Sequence, residues 1–289
     1  MTKILKKSPI ARIITLLILS QIIAGLILIP FFSLNIINSD EFNIETTDIE
    51  LMSFILLLQA AANIFLIYQM QTSYDKQPFK QLGFVGEDLF KKLNLGLGCG
   101  ILSIFIVYLA LLLSDLIKTS TATVNLYHFT LYFGLFLIVA INEEVLIRGY
   151  ILKNLLSSLP RYISITISAF IFMLLHSGNS DISLISFMNL LLVGIFLGLY
   201  YAYFKDLWFP IGFHFTWNFT QGAMLGFPVS GLPVEGLLVQ ELTGSSVLTG
   251  GSFGLEGSYL VMAILVLLCG IIWHINRSLN ENNVNNTLV

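Results

Sequence analysis

The chain alternates long apolar runs with short polar breaks. Eight runs stand out, at about 13–37, 51–70, 95–114, 126–148, 161–176, 182–204, 207–229 and 257–275. A helix needs about 20 mostly apolar residues to cross a bilayer, and only the fifth run is clearly short of that. The pattern predicts an all-α fold, a polytopic bundle of about eight transmembrane helices. Neither an internal repeat nor a phosphate-binding glycine loop interrupts it.

Composition agrees with the pattern, and charge placement adds a direction. Of 289 residues, 56% are hydrophobic and 11% charged, where a soluble domain carries about 25% charged residues. Lys3, Lys6, Lys7 and Arg12 precede the first run, and Lys76, Lys80, Lys91 and Lys92 lie between the second and third. Arg148, Lys153 and Arg161 mark the next break on that side, followed by Lys205 and Arg277. Only Lys118 falls in an opposite loop, so thirteen of the fourteen basic residues share one side. The positive-inside rule then places both termini in the cytoplasm of a multi-pass cell-membrane protein. The first run is too long for a signal-peptide core and no small-residue cleavage site follows it, so it reads as an anchor. Cys99 and Cys269 fall inside runs and read as buried thiols, not as a disulfide. The Asn-rich stretch from Asn276 to Val289 has little to bury and reads as disordered. The net charge of −3 gives no reason to expect nucleic acid. Three regions follow: residues 1–125 with three helices and a cytoplasmic loop at 71–94, a polar-bearing core at 126–229, and an outer loop, last helix and tail at 230–289.

Polar groups inside the runs are the informative exception, because charges at membrane depth cost a few kcal/mol each and persist where they serve a function. The stretch "INEEVLIRGY" (141–150) puts Glu143, Glu144 and Arg148 in the fourth run. At about 100° per residue, Glu144 and Arg148 sit about 40° apart on one helix face, an acid one turn before a base. Glu143 points about 100° away and has no partner within its helix. Pro160 marks a turn, and a hairpin centred there brings Glu143 level with His176, which ends "FMLLH". His214 and Asn218, one turn apart in "HFTWN", face one direction. After so short a fifth run, the irregular "HSGNSD" stretch is expected to face a cavity. His128 and His274 lie near run ends, where snorkelling explains them. Asn189, Asn63 and Gln59 suit interhelical hydrogen bonds, and Trp208 and Trp273 suit an interfacial belt.

A buried hydrogen-bond network that only joins helices would use these same residue types. An acid, two imidazoles and an amide also form a hydrolytic set. The carboxylate takes a proton from water and returns it to a leaving amine, while the other groups orient the water or donate to an oxyanion.

In order and spacing, "EEVLIR", "FMLLH" and "HFTWN" match the EExxxR, FxxxH and HxxxN motifs of the CPBP family of CAAX proteases and bacteriocin-processing enzymes. The segment of about 128–228 resembles the type II CAAX prenyl endopeptidases and departs at no motif position. The resemblance implies an intramembrane endopeptidase that cleaves a membrane protein or peptide within the lipid bilayer. It implies that Glu143 and His176 activate water, that His214 and Asn218 stabilise the transition state, and that Glu144 and Arg148 support the site. Bacterial relatives link the fold to bacteriocin immunity or peptide processing. No cofactor is expected. The alternative is zinc held by Glu143, His176 and His214, although Asn218 is a poor zinc ligand. A non-catalytic scaffold and a transporter, the latter prompted by "GSFGLEGS" (251–258), complete the alternatives.

Overall fold

A computed structural model describes residues 8–34, 48–123 and 125–287, with side chains of the last helix described to residue 279. Lys3, Lys6, Lys7 and most of the acidic 38–50 loop lie outside the described residues. Among the described residues, eight main helices follow one another: α1 (Pro9–Ser33), α2 (Ile49–Gln69), α3 (Leu89–Leu113), α4 (Leu126–Glu144), α5 (Arg161–Leu175), α6 (Leu184–Phe204), α7 (Trp208–Phe219) and α8 (Tyr259–Thr287). The molecule is an all-α polytopic membrane bundle. Among the described residues, six helices are long and apolar enough to cross a membrane, α4 reaching that status through its continuation to Leu156. The fifth and seventh of the eight expected spans correspond to the shorter helices. Arg161–Leu175 has 15 residues, and Trp208–Phe219 has 12 before a π-helical turn over Thr220–Met224.

Local chemistry starts the helices where the apolar runs begin. The Ser8 side chain accepts from the Ala11 N–H ahead of Pro9, and Asn125 accepts from the N–H groups of Tyr127 and His128. Ser183 and Ser186 form a reciprocal capping box at α6, which satisfies donors that a helix start leaves open. Pro160 ends the descending chain and opens α5, as the turn signal predicts.

Two helices, α3 and α7, are pressed together by missing side chains. Along α3, Gly96 and Gly100 meet the α7 backbone at Phe209 and Phe213. From the α7 side, a Cβ on Gly212 would stand 2.7 Å from the Leu93 carbonyl oxygen. Small residues four apart let helix backbones approach closely in a membrane, where no hydrophobic gain separates protein from lipid. Asp206, fully buried, holds the start of α7. Its carboxylate accepts from the Trp208 and Phe209 N–H groups at 3.2 and 3.4 Å and from the Tyr200 hydroxyl at 3.0 Å, with Lys92 Nζ 3.5 Å away. An acid at a helix N-terminus is favoured by the backbone dipoles there.

Two features depart from the apolar-run picture. The outer 230–256 loop is folded, and it includes β2 (Leu238–Leu242), which pairs antiparallel with β1 (Ile117–Thr121) in the register Thr119↔Gln240. Alternation over five residues is too short a signal to rise above the surrounding runs. The stretch from Asn276 is helical as far as Thr287, a correction to its reading as disordered. No Gly or Pro follows Gly270 to stop the helix, and Asn weakens a helix less than Gly and far less than Pro.

The close α3–α7 contact yields a test with an internal control. Gly212→Val is expected to lower the melting temperature in detergent by several degrees. Gly98→Ala, on the same pair of helices but with nothing within 4 Å of the added carbon, is expected to leave it unchanged.

Candidate active site

The three charges of "INEEVLIRGY" take separate places. Glu144 closes the α-helical part of α4, and Val145–Leu152 continues it as π-helix, a form often found at functional sites. Arg148 Nη1 donates to Glu144 Oε1 at 2.7 Å, and both side chains are fully buried. The guanidinium also lies 4.7 Å from the centre of the Phe172 ring, so a carboxylate and an aromatic face together meet its charge. Glu143 is turned away from that pair, as the helical phase predicts, and its side chain stays 26% exposed.

Each imidazole is held from one side. His176 caps the C-terminus of α5, and its Nδ1 lies 2.9 Å from the Phe172 carbonyl oxygen. A carbonyl only accepts, so Nδ1 carries the proton and neutral His176 presents the bare Nε2. That atom is 3.8 Å from Glu143 Oε2, in keeping with the hairpin symmetry that puts residues 143 and 176 on one level. The four-residue spacing of "FMLLH" has a use here: Phe172 supplies the carbonyl for His176, the ring over Arg148, and an aromatic face 4.6 Å from the His176 ring centre.

His214, on α7, places Nδ1 2.9 Å from Glu144 Oε1 and Nε2 3.9 Å from Glu143 Oε2. The Glu144 carboxylate, paired with Arg148, accepts from His214 Nδ1–H. Both histidines therefore turn Nε2 toward the same oxygen, and among the described residues Glu143 Oε2 has no hydrogen-bond partner. At 3.8 and 3.9 Å the separations exceed direct hydrogen bonds.

Asn218 lies one turn beyond His214 on α7, is 6% exposed, and lines the same cavity as Glu143, His176 and His214. The cavity measures about 870 Å³ and extends between α1, α2, α4, α5, α6, α7 and α8. Gly178, Asn179 and Ser180 form part of its wall, as the short fifth helix led us to expect. The remaining polar candidates lie elsewhere or serve packing. His128 is bonded to Glu235 at 2.8 Å with Glu50 at 3.7 Å. Asn63 accepts from Ser20 at 2.6 Å, joining α1 to α2. His274 is exposed on α8, and Cys99 and Cys269 are free thiols. Among the described residues, no three His, Cys, Asp or Glu side chains gather in a metal-ligating group.

Sequence reading missed Glu256. Its Oε1 accepts from Trp217 Nε1 at 3.0 Å, and its Oε2 accepts from Ser230 N and Oγ at 2.8 and 2.6 Å. Its backbone carbonyl accepts from Asn189 Nδ2 at 2.7 Å, so the interhelical role expected of Asn189 is filled by a loop partner. Ser230, in the left-handed region at φ 50°, returns its own carbonyl to Asn179 Nδ2 at 2.8 Å. One carboxylate thus joins Trp217, the neighbour of Asn218, to the loop just past His176, and roofs the cavity. The only sequence signal was an acid between glycines in an outer loop.

Residues 124–220 match the family model described as Rce1-like, type II CAAX prenyl endopeptidase Rce1-like. The matched segment contains all three motifs. No curated protein and no solved structure matches the chain.

Hydrogen bonds to a charged group contribute about 1.5–3 kcal/mol each and do not sum simply. Glu256→Ala is therefore expected to destabilise the protein by about 3 kcal/mol in a reversible unfolding titration. Glu256→Gln, which keeps one acceptor oxygen, is expected to recover part of the loss.

Proposed function

We propose, from the match of residues 124–220 to the Rce1-like family model and from the resemblance of their three motifs to those of the CPBP family, that this multi-pass membrane protein is an intramembrane endopeptidase. The observation that carries the reading is the approach of Glu143 to both histidine Nε2 atoms, from three separate helices, inside an 870 Å³ cavity. Its substrate would be a membrane protein or peptide reached from the bilayer. Bacteriocin immunity or peptide processing is a physiological setting compatible with that activity.

The chemistry follows from which atoms are already committed. Glu143, whose Oε2 has no partner, takes a proton from water, and His176 Nε2 accepts the water's second hydrogen to orient it. The resulting hydroxide attacks the scissile carbonyl. His214 has Nδ1 occupied by Glu144, so it can donate to the developing oxyanion only from a protonated Nε2. Asn218 adds an amide donor from the same helix face. Glu143 then passes its proton to the leaving amine, the C–N bond breaks, and a carboxylic acid and an amine are released. In this scheme Glu144 and Arg148 touch no substrate. They fix the direction and protonation of His214.

The mechanism uses no cofactor. A zinc ion held by Glu143, His176 and His214 is the rival, and a strong chelator separates the two: cleavage is expected to survive it, and loss with recovery on added zinc would contradict the proposal. Removal of a general base costs roughly 10²–10⁴-fold in rate. Glu143→Gln, expressed at the wild-type level, is expected to lose cleavage by that factor. Comparison of membrane peptides in cells carrying wild type or Glu143→Gln would reveal the substrates as species that accumulate uncut. A cellular phenotype unchanged in that variant would instead support a scaffold.

A further inference from the structure

Several of the described cations sit against acids: Arg12 on Asp75, Lys92 on Asp206, Lys118 on Glu241 and Arg148 on Glu144. Arg161 and Lys205 are set differently. Arg161 opens α5 and Lys205 follows the end of α6, so both stand at the same end of that helix pair. Each lies against a tyrosine ring of α6. The Arg161 guanidinium is 5.3 Å from the Tyr203 ring centre, and Lys205 Nζ is 5.9 Å from that of Tyr201. Among the described residues neither forms an ion pair with an acid. Asp206, next in the chain, is fully buried and given over to the start of α7 and to Lys92.

The two cations disfavour one another. Desolvation by the surrounding protein, and next the charge of Arg161, push the Lys205 pKa down from its ordinary value. The backbone adds a second conflict. Lys205 holds φ 57°, the left-handed conformation in which a helix end ordinarily carries Gly or Asn. A lysine kept in that conformation beside an arginine is a local inconsistency of the kind that gathers at functional positions. Arg161, Lys205 and Tyr162 are all exposed, and the Tyr162 hydroxyl lies 3.5 Å from that of Tyr203. Two fixed charges and two hydroxyls therefore offer donors on one small area of surface.

That area borders the lipid. Further along α5, Ile163, Ile167, Phe170 and Leu174 are 36–50% exposed, at the spacing of a single helix face. In a membrane bundle such a face meets lipid chains, and tyrosines beside basic residues suit the level of the headgroups.

We propose that Arg161 and Lys205, with the Tyr162 and Tyr203 hydroxyls, bind the phosphate of an anionic membrane phospholipid at the adjoining ends of α5 and α6. The guanidinium supplies a planar fork and the ammonium a compact charge, and an anion between them relieves their mutual repulsion. Charge complementarity selects the lipid. An uncharged glycerol headgroup leaves the phosphate's negative charge to the pair, whereas a choline headgroup would bring its own cation beside Arg161 and Lys205. The site shares no residue with the cavity around Glu143, so it stands or falls apart from the protease reading.

Native mass spectrometry of the detergent-purified full chain tests this by titration with phosphatidylglycerol and phosphatidylcholine of the same acyl chains. We expect phosphatidylglycerol to bind more tightly. Arg161→Gln and Lys205→Gln are each expected to weaken it about fivefold and to leave phosphatidylcholine nearly unchanged. Arg161→Lys combined with Lys205→Arg keeps both charges and is expected to retain the preference. Lys80→Gln combined with Lys91→Gln removes two other exposed charges and is expected to leave the preference intact. Equal affinity for the two lipids in the wild type overturns the inference. An equal loss in the Lys80 and Lys91 variant also overturns it, because the attraction is then diffuse. Displacement of the lipid by inorganic phosphate at constant ionic strength overturns it as well, in favour of a free-anion site.

Discussion

A carboxylate and a guanidinium buried together in an apolar bundle set the terms for the rest of this structure. Isolated, either charge would be untenable there. Paired at 2.7 Å, with Phe172 beneath the guanidinium, they are tolerable, though such a pair gives little net stability. What the pair provides is direction. Glu144 spends one oxygen on both Arg148 and His214, so a charge pair along one helix fixes an imidazole on another. Removing either partner would leave a buried charge exposed to hydrocarbon.

Around that pair the surrounding elements converge. Asp206 starts α7 at a set height, Gly96, Gly100 and Gly212 let it press against α3, and His214 then meets Glu144. The end of α5 after Leu175 leaves the Phe172 carbonyl to hold His176. Glu256 closes the outer side by gathering Trp217 and Ser230, and Ser230 reaches Asn179. Two histidines are thereby held by Nδ1 and free at Nε2, with the unpartnered oxygen of Glu143 before them. That leaves the Glu143 carboxylate facing the cavity without a hydrogen bond at Oε2.

Much of this was legible in the sequence because it rests on local periodicity. Helical phase alone separated Glu143 from Glu144, and the turn at Pro160 set Glu143 level with His176. The apolar runs located every main helix, although two are too short to count as spans by length. What stayed hidden depends on contacts between distant segments. The His214–Glu144 bond joins residues 70 positions apart. Glu256 acts on Trp217 across 39 positions, and the β1–β2 ribbon pairs segments over 100 residues apart. No spacing rule within a single run encodes such pairings. The helical course from Asn276 was missed for a different reason: composition reports what a segment can bury, not whether something stops its helix.

The central claim is that two adjacent glutamates divide their work, one holding the fold and the other left unsatisfied for chemistry. The melting temperatures of Glu143→Gln and Glu144→Gln in one detergent test it without any substrate. Removing an unpartnered, partly buried charge should leave the first variant at least as stable as wild type. Breaking the buried pair should make the second clearly less stable. A loss of stability in Glu143→Gln equal to that in Glu144→Gln would contradict the division.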